Sequence, residues 1–219
     1  MVRANFENEL EQLHREIIEM GSMVKDAIQD AIVAFKTNDL ESCQKIIEDD
    51  QKIDDKEKMI ESKCLWLIAR EQPVASDLRN ITTALKITTD MERIGDHASD
   101  IAELTLRIAD KNTFADSIHI PQMAAKAIKM VDDAVTAYVK CDLALAKETT
   151  AKDDEVDEYF NVIKRELAQI FKDQPQNMDS AIDLLLIAKY LERIADHAVN
   201  ICEWVHFSQT GQHKTTLIF

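Results

Sequence analysis

Two pairs of carboxylates on a repeated segment are the side chains of this sequence best placed to do chemistry. Glu92 and Asp96 lie within the segment Glu-Arg-Ile-Gly-Asp-His-Ala, which returns as Glu-Arg-Ile-Ala-Asp-His-Ala with Glu192 and Asp196. On a helix, residues four apart share a face and lie about 5–6 Å apart at Cβ. Like charges at this spacing destabilise a helix by about 0.2–0.5 kcal/mol. Because both copies keep the pair, we expect a compensating partner, and a bound cation is the simplest one.

A second acidic pattern, Asp-x-x-(Ile or Val)-Asp, precedes each copy of the first, at residues 50–54 and 153–157. Helices that fold back on each other about Pro73 and Pro175 would bring these acids level with the first pairs. The spacing therefore predicts one metal site, mono- or polynuclear, in each half of the chain. The candidate metal ligands are Asp50, Asp54, Glu92, Asp96 and Asp100 in the first half and Asp153, Asp157, Glu192 and Asp196 in the second.

The chemistry of this cluster leaves several alternatives open. Carboxylate oxygens are hard ligands that suit Mg, Ca, Mn and iron. The competing interpretation is an acidic helix face that is simply solvated. Asn200 stands where the first half has Asp100, so the two sites need not be equal. The histidines at 97 and 197 are outer ligands or ordinary residues at the flank of a helix, and the arginines at 93 and 193 are expected to form ion pairs with the acids.

Composition limits both the fold and the partners. The 219 residues include only 3 Gly and 3 Pro, with 46% hydrophobic residues, which indicates long helices around a packed core. The net charge of −15 argues against nucleic-acid binding, since phosphate contacts need Lys and Arg. The polar first 13 residues and the lack of an apolar run of about 20 residues predict a cytoplasmic protein without membrane insertion. The four cysteines, Cys43, Cys64, Cys141 and Cys202, are expected to be buried and reduced.

Apolar residues recur every three to four positions and predict an all-α fold of six long helices. Asp39 and Asp142 are predicted to begin the second and fifth helices, which the pattern carries to about 70 and 171; Ser76 or Asp77 is predicted to begin the third. The helices divide into two tandem, pseudo-symmetric three-helix bundles. We predict a first repeat at 1–110, a linker at 111–120, a second repeat at 121–207 and an irregular tail at 208–219.

The segments at 77–79 (Asp-Leu-Arg), 84–87 (Ala-Leu-Lys-Ile) and 92–96 together resemble the PhoU family of phosphate-transport accessory proteins. The resemblance covers the chain up to about residue 207 and implies the same tandem helical fold. It also implies that the motifs at 50/54, 92/96, 153/157 and 192/196 hold surface metal ions, iron or zinc in multinuclear clusters. Arg79 belongs to the resembling segment, but the sequence gives it no role.

The resemblance further implies a regulator rather than an enzyme. Such a protein would link the ATPase subunit of a phosphate ABC transporter to a sensor histidine kinase, act as a negative regulator of phosphate-starvation signalling, and form a homodimer. The alternatives are a ferritin-like di-metal carboxylate protein and a metal-free helical scaffold. The ferritin-like chemistry uses Glu-x-x-His motifs facing a bundle core, whereas Glu92 is followed three residues later by Gly95.

Overall fold

The computed structural model describes the backbone of residues 2–108, 118–213 and 216–217, and the side chains of 6–108 and 118–213. Long helices make up nearly all of the described chain, so the all-α prediction is confirmed. The elements are α1 (Val2–Thr37), α2 (Leu40–Glu71), α3 (Ala75–Arg107), α4 (Ile120–Lys140), α5 (Leu143–Thr150), α6 (Asp153–Asp173), a 3₁₀ turn (Pro175–Asn177), α7 (Met178–Thr210) and two short paired strands, β1 (Gln212–His213) and β2 (Thr216–Leu217).

Equivalent caps open the second helical segment of each repeat, as the sequence predicts. The carboxylate of Asp39 accepts a hydrogen bond from the Ser42 amide at 3.1 Å, and Asp142 accepts from the amides of Ala144 and Leu145 at 3.0 Å. These bonds satisfy amide groups that the first turn of a helix leaves without a carbonyl partner. The same local chemistry therefore starts α2 and α5.

The second repeat departs from the first where the predicted fifth helix is divided into α5 and α6. The division falls at Ala151 and Lys152. The Lys152 ammonium lies 3.2 Å from buried Asp133 of α4 and 2.9 Å from Glu148. Asp153 consequently lies in the first turn of α6, where the positive end of the helix dipole favours a carboxylate.

Several predicted boundaries are wrong. Helix α3 begins at Ala75, and neither Ser76 nor Asp77 caps it, because the extended Val74 after Pro73 occupies the cap position. The predicted irregular tail is helical through Thr210, where Gly211 ends α7. The predicted linker at 111–120 lies mostly outside the described residues, and α4 already begins at Ile120. The expectation of four buried cysteines fails at Cys141, which ends α4 with an exposed side chain, whereas the thiols of Cys43, Cys64 and Cys202 are buried.

Helices α3 and α7 pack against each other in antiparallel directions and join the two repeats. Arg107, at the end of α3, pairs with Asp183 near the start of α7 at 3.0 Å, and Asn200 donates to Asp90 at 3.2 Å. The predicted core positions of both helices are buried: Ile87, Met91, Ile94, Ala98, Ile101, Thr105 and Ile108, and Leu184, Ile187, Leu191, Ile194, Ala198, Ile201 and Val205. No helix in the described part of the chain combines the length and apolar character that crossing a bilayer requires.

A second junction between the repeats lies at Gly21 of α1, which touches α4. A Cβ atom at Gly21 would lie 2.8 Å from Val135 Cγ1 and 3.1 Å from Val135 Cγ2. We expect Gly21→Ala to destabilise the protein by up to about 2 kcal/mol, because overpacking costs about 1–3 kcal/mol and the gain in helix propensity offsets about 1 kcal/mol of it. Urea unfolding measures the change. Adding Val135→Ala should remove the clash; a more stable Gly21→Ala protein would contradict the close approach.

Candidate metal centre

The antiparallel pair of α2 and α3 brings three of the predicted ligands together. One carboxylate oxygen from each of Asp54, Glu92 and Asp96 lies within 4.8 Å of the other two. Asp54 comes from α2, and the other two lie four residues apart on α3. The structure therefore agrees with the prediction that α2 and α3 fold back at Pro73 and place their acids side by side. The three oxygens are close enough to share one cation.

Glu92 is the most enclosed acid of this group. Its side chain is 15% exposed, and Oε2 is fully buried with no hydrogen-bond donor among the described residues. Among the described residues, the cation paired with Glu92 is Arg93, whose Nε lies 3.3 Å away while Nη1 donates to Asp96 at 2.7 Å. Burial, reinforced by the charge of Asp96, raises the pKa of Glu92 to about 7. The hydrogen bond to Asp96 and the charge of Glu92 raise the pKa of Arg93. This one guanidinium is shared between two acids, so it compensates the cluster only in part.

Asp50 and Asp100 lie beside the three clustered acids rather than within their group. Burial, followed by the charges of Asp96 and Asp54, raises the pKa of Asp50 to about 6. Asp100 also contributes to this rise, but its carboxylate is 38% exposed and lies 3.2 Å from Nδ1 of His97. These two acids therefore shape the potential of the site from its edge.

The second repeat holds its acids in the corresponding places with a different balance of charge. Burial and the charges of Asp196 and Asp157 raise the pKa of Asp153 to about 6. Burial and the charge of Glu192 raise that of Asp196. No group of three acids with oxygens this close occurs here within the described residues. The ammonium group of Lys189, at a position occupied by Thr89 in the first repeat, forms an ion pair with Glu192.

The predicted arginine contacts also differ between the repeats. Arg93 forms the expected ion pair with Asp96, whereas Arg193 forms none with Asp196 within the described residues. In the second repeat the compensating cation is Lys189, which pairs with Glu192. Its Nζ also lies 5.5 Å from the ring centre of Phe160 on α6. The second repeat thus carries a built-in cation beside its acids.

The two repeated histidines face each other across the pairing of α3 and α7. Their ring centres are 5.7 Å apart, and His97 also stacks on Tyr190 at 5.2 Å. His197 Nδ1 lies 2.8 Å from Asp90 of the other repeat, whereas His97 Nδ1 lies 3.2 Å from Asp100 of its own helix. Both histidines therefore lie in the contact between α3 and α7, and neither belongs to the three-oxygen group of Asp54, Glu92 and Asp96.

Two features of this region were not predicted from the sequence. Glu57, one turn after Asp54, faces the same cluster, and burial together with Glu61 raises its pKa. Gly95 lets α2 approach α3, since a Cβ there would lie 3.0 Å from Ile53 Cδ1 and 3.4 Å from Asp50 Oδ1. Because Glu57 follows Asp54 by three residues, helical spacing alone could have predicted that both face the cluster. Arg79, left without a role, donates a long hydrogen bond of 3.5 Å to the Ser208 carbonyl and ties α3 to the end of α7.

The raised pKa of Glu92 predicts a pH dependence of stability in metal-free protein. In the folded state Glu92 holds its proton to about pH 7, whereas an unfolded glutamate releases it near 4.5. The folded state therefore binds more protons between these values, and its stability falls as pH rises through them. We expect Glu92→Gln to gain stability over the parent protein as pH rises from about 4.5 to about 7.

Urea unfolding in EDTA at pH 5 and at pH 8 measures this difference, and Glu192→Gln is the matched control. Glu192 has Lys189 as a partner, so removing its charge also leaves that ammonium uncompensated. The control should show no comparable gain with pH. A stability difference between Glu92→Gln and the parent that stays constant with pH would contradict the buried, repelled state of Glu92.

Comparison with known proteins agrees with the duplicated architecture. A profile of the PhoU domain matches residues 17–105 and again 120–205. The chain is 40% identical over 213 residues to the phosphate-specific transport system accessory protein PhoU homolog of Clostridium acetobutylicum, covering 97% of each. It also resembles the crystal structure of PhoU from Pseudomonas aeruginosa, with a TM-score of 0.89, 31% identity, and coverage of 94% of this chain and 100% of that one.

The structure of the phosphate transport system regulatory protein PhoU from Streptococcus pneumoniae is similar to the same degree, with a TM-score of 0.89, 30% identity, and coverage of 95% and 98%. These relatives carry the names of accessory and regulatory proteins, so the prediction that the chain is not an enzyme is confirmed on family grounds. The resemblance inferred from the segments at 77–79, 84–87 and 92–96 is confirmed as well, and the chain belongs to the PhoU family.

Proposed function

We propose that this chain is an accessory protein of a phosphate transport system that regulates phosphate uptake and phosphate-starvation signalling. The observation that carries the proposal is the family match, which includes both repeats and a relative of nearly equal length. The related proteins are named for phosphate transport, in one case as a regulatory protein. The cytoplasm, where such a protein would meet the inner parts of a transporter and a kinase, is the proposed location.

We further propose that Asp54, Glu92 and Asp96 hold a metal ion. The three oxygens within 4.8 Å and the buried Glu92 oxygen without a hydrogen-bond donor form a donor set that fits a cation. Oxygen ligands alone favour iron among the two metals that the resemblance implies. Bound metal would supply positive charge to this cluster. Asp50 and Asp100 would adjust the potential from the edge, and Arg93 would orient Asp96.

The second set, Asp153, Asp157, Glu192 and Asp196, is proposed as a weaker metal site. Lys189 competes there with any bound ion for Glu192, and the acids do not converge as closely. The two repeats would then differ in metal affinity, in keeping with the exchange of Asp100 for Asn200.

The proposed partners are the ATPase subunit of a phosphate ABC transporter and a sensor histidine kinase, bridged by this chain as a homodimer and negative regulator. The acidic surface supports recognition by basic protein faces, because charge complementarity steers association and suppresses wrong partners. Metal at the first cluster would fix α2 against α3 and so define the surface offered to a partner.

The test measures binding of the purified kinase cytoplasmic region and the transporter ATPase to metal-loaded and EDTA-treated protein. We expect binding to both partners, which weakens with EDTA and with Asp54→Asn/Asp96→Asn. The matched control, Asp55→Asn/Glu61→Gln, removes two exposed acids of α2 outside the three-oxygen group and should bind normally. Metal-independent binding would separate metal from recognition, and no binding to either partner would overturn the adaptor role.

A further inference from the structure

A groove between α1 and α2 lies beside the acid cluster and has a different chemical character. Its volume is about 380 Å³, within the range of about 300–1,000 Å³ typical of ligand pockets. Gly95 of α3 closes its inner end, next to Asp50. The groove is thus a formed concavity in the described part of the chain and extends well beyond the three clustered acids.

The floor of this groove is apolar. Ala27 of α1, which is partly buried, gives it depth because its side chain is short; Ala34 lies fully buried one heptad further on, and Met23 and Ile46 continue the apolar surface. Val33 at the groove is 57% exposed. Burial of this surface against an apolar group of a partner would be favourable, because it removes apolar area from water.

The rim of the groove is acidic and incompletely compensated. Asp26 and Asp30 are exposed, lie four residues apart on α1, and form no hydrogen bond or ion pair with any described residue. Lys52 of α2 is engaged by Asp49 at 2.7 Å, which leaves Lys45 as the other cation at the groove. The two α1 carboxylates thus lie on one helix face without an ion-pair partner among the described residues, and cationic groups of a partner would offset their repulsion.

We propose that this groove binds a basic amphipathic segment of a partner protein, with an apolar side chain on the alanine floor and Lys or Arg side chains at Asp26 and Asp30. Helix-in-groove recognition uses such apolar anchors with polar flanks. Anionic lipid headgroups are repelled by the rim. A second copy of this chain would bring its own charge of −15 toward the same acids, so it fits less well.

This inference rests on the adaptor role proposed above and names the chemistry of one partner contact. It does not need bound metal, because Asp26 and Asp30 lie on α1 and are not among the three clustered acids of α2 and α3. Its failure is therefore distinguishable from failure of the adaptor or of the metal site.

The experiment uses a fluorescein-labelled helical peptide of Leu and Lys, with Leu spaced every three to four residues, and a control peptide in which Glu replaces every Lys. Binding to the full chain is followed by fluorescence anisotropy in EDTA. We expect the Leu/Lys peptide to bind and the Leu/Glu peptide not to bind. Asp26→Asn/Asp30→Asn should weaken binding about fivefold or more, since two exposed ion pairs are lost.

The matched control is Glu41→Gln/Glu48→Gln, which makes the same charge change at exposed positions of α2 that do not line the groove. We expect its affinity to change less than about twofold. A second variant, Ala27→Leu, fills the floor and should weaken binding with its charge unchanged; thermal unfolding verifies that it folds.

Three results would overturn the inference. Equal weakening by both charge variants would mean diffuse attraction to an acidic surface. Unchanged binding by Ala27→Leu would mean that the floor is not used. Sedimentation that shows Asp26→Asn/Asp30→Asn and Ala27→Leu altering self-association would assign the groove to a second copy. If these occurred while the kinase and the ATPase still bound the parent protein, the adaptor role would stand without this contact.

Discussion

Glu92→Gln is expected to lower metal affinity at the first cluster at least about 100-fold, because removing a direct ligand should cost no less than the 10–100-fold typical of an outer partner. The change keeps the shape of the side chain and removes its charge. Glu192→Gln, the same change in the second repeat, should have a much smaller effect. There, Lys189 already neutralises part of the charge of Glu192 that a metal ion would neutralise.

Titration with Mn²⁺ followed by electron paramagnetic resonance measures both affinity and stoichiometry, since the signal of free Mn²⁺ is read directly. Lys189→Thr gives the second repeat the residue of the first and should raise its affinity, which tests the competing ammonium without removing any acid. Equal losses in Glu92→Gln and Glu192→Gln would contradict the asymmetry of the two sites. Parent protein that binds no Mn²⁺ or iron would contradict the metal proposal itself.

Gly95→Ala is expected to force α2 away from α3 and to weaken metal binding at the first cluster about tenfold, the effect of a disturbed outer shell. The new Cβ would lie 3.0 Å from Ile53 Cδ1 and 3.1 Å from Ile53 Cγ2. Ile53 is buried and branched at Cβ, so its rotamer has little freedom to yield. The overpacking cost of about 1–3 kcal/mol should match or exceed the gain of about 1 kcal/mol in helix propensity.

The measurement combines urea unfolding with the same metal titration. Ile53→Val removes one of the two clashing atoms, so its cost should be smaller in the Gly95→Ala background than in the parent, as a double-mutant cycle would detect. The control Ala195→Gly makes the reverse exchange in the second repeat. It should cost about 1 kcal/mol in helix propensity and leave the first cluster unchanged. Full metal affinity in Gly95→Ala would show that the close approach of α2 and α3 does not matter for the site.

The sequence predicts the architecture and the first acidic cluster because both depend on local spacing. Proline fixes where each hairpin turns, and the period of apolar residues fixes which face is buried. Together they place Asp54 level with Glu92, as the structure has it. The caps at Asp39 and Asp142 follow from local chemistry in the same way.

The features that the sequence does not predict depend on contacts between distant segments. The pairing of His197 with Asp90 joins residues 107 positions apart, and nothing in the local pattern marks it. The division between α5 and α6 coincides with the contact of Lys152 with Asp133 on another helix. The acidic stripe is half-buried because α2 packs over it through Gly95, a distance that periodicity alone cannot give.

Covalent joining of the two repeats has a consequence for how the protein can diverge. In a symmetric homodimer every substitution appears twice, so its two halves keep the same chemistry. Here a substitution appears once, and Thr89 and Lys189 occupy equivalent places in one polypeptide. The two halves can therefore hold their acids with different counter-charges, Arg93 in the first and Lys189 in the second. Tandem duplication thus permits the two halves to acquire different surface chemistry within a shared helical frame.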